Sequence, residues 1–173
     1  MNQEVMVEKE ISEYFEKDHL RLDSLFGEFQ AFKKTNYPRA REAFIAFKFG
    51  LQRHIVWEEQ ILFPVFESKT GMVNSGPTHV MRFEHRQIGE CLEALHTKVK
   101  NSDPASDAEE AKLLTFLASH NQKEEMVLYP TIDRMISEQE KEEVYAKMKA
   151  LPEETYAHCC GIMQKDASNP NRE

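Results

Sequence analysis

Two phrases in the chain carry the same side-chain chemistry at the same spacing. "HIVWEEQILFP" runs from His54 to Pro64 and "HNQKEEMVLYP" from His120 to Pro130. Each has a histidine, a glutamate four residues on, a second glutamate, then apolar residues, an aromatic and a proline. Residues four apart share a helix face, so each phrase sets an imidazole beside a carboxylate. Leu51, His54, Glu58, Ile61 and Val65 fall in one stripe, and Leu113, Leu117, His120, Glu124 and Val127 in another. The polar pairs therefore point where a core is expected.

The two phrases lie 66 residues apart, and the same offset carries His19 onto His85, Asp18 onto Glu84 and Leu22 onto Ile88. His19 sits among Phe15, Leu22 and Phe26, and His85 between Met81 and Ile88. Four imidazoles and two carboxylates thus converge on one interior. A lone buried histidine is most simply a hydrogen-bonded core residue, but burying two unpaired carboxylates together is costly and repulsive. Six such groups related by a repeat favour a cation among them. Imidazole nitrogens and carboxylate oxygens without thiolates suit iron or manganese, with zinc as an alternative. Two metals, each taking two histidines and sharing both glutamates, satisfy every group and leave coordination positions for a small molecule.

Four long amphipathic segments must position these groups. Their approximate limits are Val5 to Phe32, Pro38 to Ser68, Thr78 to Lys100 and Ala108 to Ile136, with a shorter charged helix from Glu138 to Leu151. Turns are marked by Thr35, Asn36 and Pro38, by "KTGMVNSGP", and by "NSDPASD". Pro64 and Pro130 fall inside the helical patterns, where a proline removes a hydrogen bond, so a kink or a short break is expected at each. A helix pair cannot bury its apolar face alone. Two copies closing on one another predict an all-α, up-down-up-down four-helix bundle with an additional short C-terminal helix. The bundle domain is assigned to residues 1–152 and an irregular tail to residues 153–173.

The balance of the chain agrees with this. Of 173 residues only 6 are Gly, 40% are hydrophobic and 30% charged. A net charge of −8 argues against a nucleic-acid or anionic-membrane partner, both of which need clustered Lys and Arg. The first residues, "MNQEVMVEKEISEYF", carry charges where a signal peptide needs an apolar run. With 3 Cys and no export signal, a cytoplasmic, reducing setting is expected.

"KDHLRL" at Lys17, "HIVWEE" at His54, "FEHRQI" at Phe83 and "HNQKEE" at His120 resemble the hemerythrin-like, or HHE cation-binding, domains. The resemblance covers about residues 8–136. It implies a non-heme di-iron centre with His19, His54, His85 and His120 as terminal ligands and Glu58 and Glu124 as bridging carboxylates. Oxygen-carrying hemerythrins have a further histidine where this chain has Met81, and their last carboxylate is an aspartate five residues after its histidine rather than Glu124 at four. The variant resembles the bacterial and regulatory branches, which handle oxygen, nitric oxide or iron itself. A binding or sensing role is expected, with nitric-oxide or peroxide detoxification, or iron–sulfur cluster repair, as the enzymatic alternative.

The remaining candidates read differently. His79, six residues from His85, is off the ligand face and suits a capping or surface position. His96 suits packing or exposure. Asp23 has Gly89 as its repeat mate and reads as solvated. Glu59 and Glu125 lie one step off the core face, where supporting a ligand or facing the surface suits them better than binding metal directly. "HCCG" at His158 to Gly161 reads as exposed thiols, with a redox-responsive or metal-binding role for Cys159 and Cys160 as the alternative.

Overall fold

The computed structural model describes residues 10–161, with side chains to Ala157. The residues expected to begin the first helix before Glu10, the side chains of Cys159 and Cys160, and the tail from 162 lie outside that range. The described residues form helices joined by short turns, without strands. Helix α1 spans Ile11–Phe32 and α2 Tyr37–Trp57. A π-helical turn, Glu58–Leu62, leads into α3, Phe63–Thr70. Next come α4, Gly76–Lys100, and α5, Asp107–Lys123. A second π-helical turn, Glu124–Leu128, leads into α6, Tyr129–Met135, and α7 spans Glu138–Ala150. A 3₁₀ segment, Glu153–Gly161, packs against α2.

Local chemistry explains the ends. The Asn36 side chain accepts from the Arg39 N–H at the start of α2, with Pro38 in the first turn. Ser137 and Glu140 form a reciprocal capping box on α7. Gly71, at φ 73°, closes α3 in the left-handed region that favours glycine. Helix α1 lacks a cap of its own. Instead Asp133 of α6 accepts from the backbone N–H groups of Ile11 (2.7 Å) and Ser12 (3.0 Å), tying the end of the second repeat to the start of the first.

The two internal prolines do not break their helices. Before each, the Phe63 N–H bonds to Glu58 O and the Tyr129 N–H to Glu124 O, five residues back, so a wider turn precedes the proline ring. That turn shifts the register of everything after it. Val127, expected on the core face, is 57% exposed, and Leu128 and Tyr129 are buried in its place. Val65 is likewise only half-buried, with Phe63 and Phe66 inside. The first repeat's core half is filled by Phe26, Phe29, Phe44 and Phe47. No described helix is long and apolar enough to cross a membrane.

Candidate metal centre

All six candidate ligands are buried: His19 on α1, His54 on α2, Glu58 in the first π turn, His85 on α4, His120 on α5 and Glu124 in the second π turn. One ligand atom from each of Glu58, His85, His120 and Glu124 lies within 4.8 Å of the others, and the same holds for His19, His54 and Glu124.

The outer nitrogens define what the inner ones can do. His54 Nδ1 stands 3.0 Å from Asp18 Oδ2 and His120 Nδ1 3.0 Å from Glu84 Oε2. His85 Nδ1 is 2.8 Å from Glu59 Oε1 and His19 Nδ1 2.7 Å from Glu125 Oε1. An ionised carboxylate only accepts, so each Nδ1 carries a proton, and a neutral ring is left with a bare lone pair at Nε2. Those Nε2 atoms meet in pairs, His19 with His54 at 3.1 Å and His85 with His120 at 3.1 Å. Carboxylate oxygens close around them. His120 Nε2 is 3.0 Å from Glu124 Oε1, and His85 Nε2 is 3.2 Å from Glu58 Oε2. His19 Nε2 lies 3.6 Å from Glu124 Oε2, and His54 Nε2 3.7 Å from Glu58 Oε2. Glu58 Oε2 and Glu124 Oε1 are buried without a hydrogen-bond donor among the described residues.

Acceptors thus face acceptors in a buried interior, which is unfavourable unless something positive lies between them. The donor set of nitrogens and oxygens, each imidazole oriented by an outer carboxylate, is the arrangement that metal-ligating histidines adopt. With protein groups alone, protons take the cation's part. Burial lowers the His85 imidazole, but Glu58 and Glu59 outweigh it and push it up to about 10. Burial also opposes charge on His54 and His120, yet Glu58 and Asp18 raise the first, and Glu124 raises the second. His19, where burial and the neighbouring His54 prevail, is lowered. Burial disfavours ionised Glu124, and His120, His85 and His54 together hold it well below the usual carboxylate range.

The outer carboxylates are themselves anchored. Asp18 also accepts from Arg21 Nε (2.8 Å) and Arg53 Nη2 (3.2 Å), and Glu84 is paired with Lys123. Asp18 and Glu84 are repeat mates, as are Glu59 and Glu125, so the support obeys the same 66-residue offset as the candidate ligands. Asp18, Glu84 and Tyr129 were not foreseen as site residues. Tyr129 Oη donates toward Glu58 Oε1 (2.6 Å) and Glu124 Oε2 (3.0 Å), and also lies 3.3 Å from His54 Nε2. In an uninterrupted α-helix, residues five apart diverge by about 140°; the π turn brings Tyr129 alongside Glu124. Its repeat mate Phe63 stacks on His85, with centroids 5.7 Å apart and planes 8° apart.

The other sequence candidates stay outside. His79 and Asp23 are exposed, and His96 is half-buried, stacking on Phe44 and meeting Glu93. Met81 is buried. A cavity of about 10 Å³, room for about one water-sized molecule, touches His19, His54 and His120 between walls that include Leu22 and Leu117.

The iron-sulfur cluster repair protein YtfE of Salmonella typhimurium LT2 is 34% identical over 95 residues, 54% of this chain and 41% of the relative. That of Salmonella schwarzengrund is 33% identical over the same shares. The matched segment thus covers less than half of the relatives' length. No solved structure matches the chain. A family model described as the hemerythrin HHE cation binding domain matches residues 10–132, a span that holds all six candidate ligands, and the chain belongs to that family.

Proposed function

We propose that the chain is a non-heme di-iron protein on an up-down-up-down four-helix bundle. His19 and His54 hold one metal, His85 and His120 the other, and Glu58 and Glu124 bridge them. The observation that carries this reading is the meeting of four Nε2 lone pairs with buried, undonated oxygens of Glu58 and Glu124. Bound iron supplies coordination positions and redox chemistry for a small molecule such as oxygen or nitric oxide. The protein's own contribution is to fix the imidazole tautomers through Asp18, Glu59, Glu84 and Glu125, to hold both bridging carboxylates through Tyr129, and to exclude bulk water with apolar walls. The cavity beside His19 and His54 admits only a very small ligand. We place this activity in the cytoplasm.

Elemental analysis and an absorption spectrum test the reading. Protein produced in iron-containing medium should carry about two irons per chain, as the two pairs of histidines require, and show oxo-bridge bands in air. Purified protein without iron, and without such bands after anaerobic loading and aeration, contradicts it.

A second reading is supported by the likeness to YtfE: the centre acts in iron–sulfur cluster repair by releasing iron rather than by holding a ligand. Iron transfer to a cluster-depleted acceptor protein, measured against free ferrous iron, distinguishes release from retention.

A further inference from the structure

The chain's aromatic residues are sorted by chemistry along the bundle. Among its 5 Tyr and 1 Trp, five residues form one contact network and only Tyr37 lies elsewhere. The network begins at the candidate metal centre. The Tyr129 ring packs on Phe15 with centroids 5.1 Å apart, and Phe15 packs on Tyr14 at 5.7 Å. Tyr14 is the hub, with Tyr145 of α7 at 5.2 Å and Trp57 at 6.0 Å. Trp57 in turn meets Tyr156 at 6.4 Å. In the opposite half of the bundle the corresponding cluster is Phe26, Phe29, Phe44 and Phe47, with centroids 4.8 to 6.3 Å apart, and His96 stacked on Phe44, with neither a phenol nor an indole in these contacts. Phenols and indoles give up single electrons at potentials that reactive oxygen intermediates reach, and phenyl rings do not. One side of the centre is therefore insulated and the other is not.

We infer that Tyr129, Tyr14 and Tyr145 form a one-electron path, across the packed Phe15 ring, between the candidate metal centre and the protein face built by α7. The inference rests on the iron reading proposed above. The inner end is held in place: the Tyr129 ring packs on Phe15, and its hydroxyl donates to Glu58 Oε1 at 2.6 Å. Tyr14 and Tyr145 are half-buried, so the outer end reaches the surface. Trp57 is a side branch. The Arg53 guanidinium lies 4.4 Å over its ring, which disfavours a cationic indole, and its buried Nε1 has no acceptor among the described residues.

The balance closes with hydrogen peroxide as oxidant and a low-molecular-weight thiol as reductant. One peroxide takes two electrons and two protons and becomes two waters. Two thiols release two electrons and two protons and become one disulfide. Each electron crosses singly: thiol re-reduces Tyr145, Tyr145 re-reduces Tyr14 and Tyr14 re-reduces Tyr129, each phenol ending protonated as it began, so the two protons the thiols release equal the two that peroxide consumes.

The test reacts the iron-loaded full chain with peroxide, freezes it at successive times for electron paramagnetic resonance, and maps oxidised peptides by mass spectrometry. Wild type should show a tyrosyl signal that thiol quenches, with oxidation at Tyr14 and Tyr145 exceeding that at Tyr37. Tyr14→Phe should lower oxidation at Tyr145 several-fold, and Tyr37→Phe should change nothing. Tyr145→Phe, which removes the outlet along with the hydroxyl's bond to Glu10 O (3.1 Å), should prolong the signal in the presence of thiol. Absence of a tyrosyl signal, a Tyr14→Phe pattern equal to wild type, or thiol quenching unaltered in Tyr145→Phe overturns the path. Metal analysis before peroxide is added separates the two proposals. A chain that binds no iron removes the path's inner end and sinks the iron reading as well, whereas an iron-loaded chain that fails the radical test sinks the path alone.

Discussion

His19 Nε2 and His54 Nε2 face one another at 3.1 Å inside the bundle, although each ring already commits its Nδ1 proton to a carboxylate. Two neutral rings so committed cannot hydrogen-bond to each other. Either one ring takes a second proton or a cation stands between them, and the His85–His120 pair repeats the same geometry. Coordination of a cation is the arrangement that would satisfy both pairs and both buried carboxylates at once.

Removal of a shared ligand should therefore affect both metal positions. Glu124→Ala is expected to lose both irons, and His54→Ala only the one on its own side, read as metal per chain by elemental mass spectrometry. Chelation of wild type should lower the melting temperature, because a ligand at one hundred times its Kd adds about 2.7 kcal/mol to the folded state. An unchanged melting temperature after verified metal loss contradicts this.

The outer carboxylates make a graded prediction. Glu59→Gln and Glu125→Gln, as repeat mates, should weaken metal affinity by similar factors, on the order of 10- to 100-fold. Asp18→Asn should be at least as severe, since Asp18 also neutralises Arg21 and Arg53. Competition against a calibrated chelator measures this; affinities unchanged in all three variants argue that these carboxylates serve only the fold.

Tyr129→Phe keeps the ring against Phe15 and removes the donor to Glu58 and Glu124. The metal-free variant should be less stable by about 1.5–3 kcal/mol, the usual range for a hydrogen bond to a charged group. Metal should restore part of that, because the carboxylates then have another partner. Urea unfolding with and without metal checks it, and equal losses in both states count against a shared role for Tyr129.

Far from the centre, Glu140 supplies a pH test. Its bonds to Lys69 and to the Ser137 backbone lower it from 4.5 to about 2. A depressed carboxylate contributes stability that is present above its unfolded value and lost as pH falls through its folded value. The melting-temperature gap between wild type and Glu140→Gln should be full at pH 5 and close progressively between about 4.5 and 2. A constant gap across that range shows that the Glu140 charge does not stabilise α7.

Much of the site is legible in the sequence because four-residue spacing and a 66-residue repeat both survive folding intact: His54 with Glu58, His120 with Glu124, and His19 with His85 all reach the interior. What is not legible follows from the π turns. They move Val127 out and bring Tyr129 in, and a steady 3.6-residue period cannot anticipate a register shift. The Phe63–Tyr129 pairing in the repeat was the available signal, since a hydroxyl appears there in only one copy. The assignments of Asp18 to His54 and Glu59 to His85 were hidden for another reason. They cross between helices, and one-dimensional spacing does not carry that information.

Diffraction from crystals of the metal-loaded protein at the iron absorption edge tests the ligand assignment most directly. Two anomalous peaks should appear, one between His19 and His54 and one between His85 and His120, both in contact with Glu58 and Glu124. No peak among these six side chains, or iron bound only elsewhere on the chain, would contradict it.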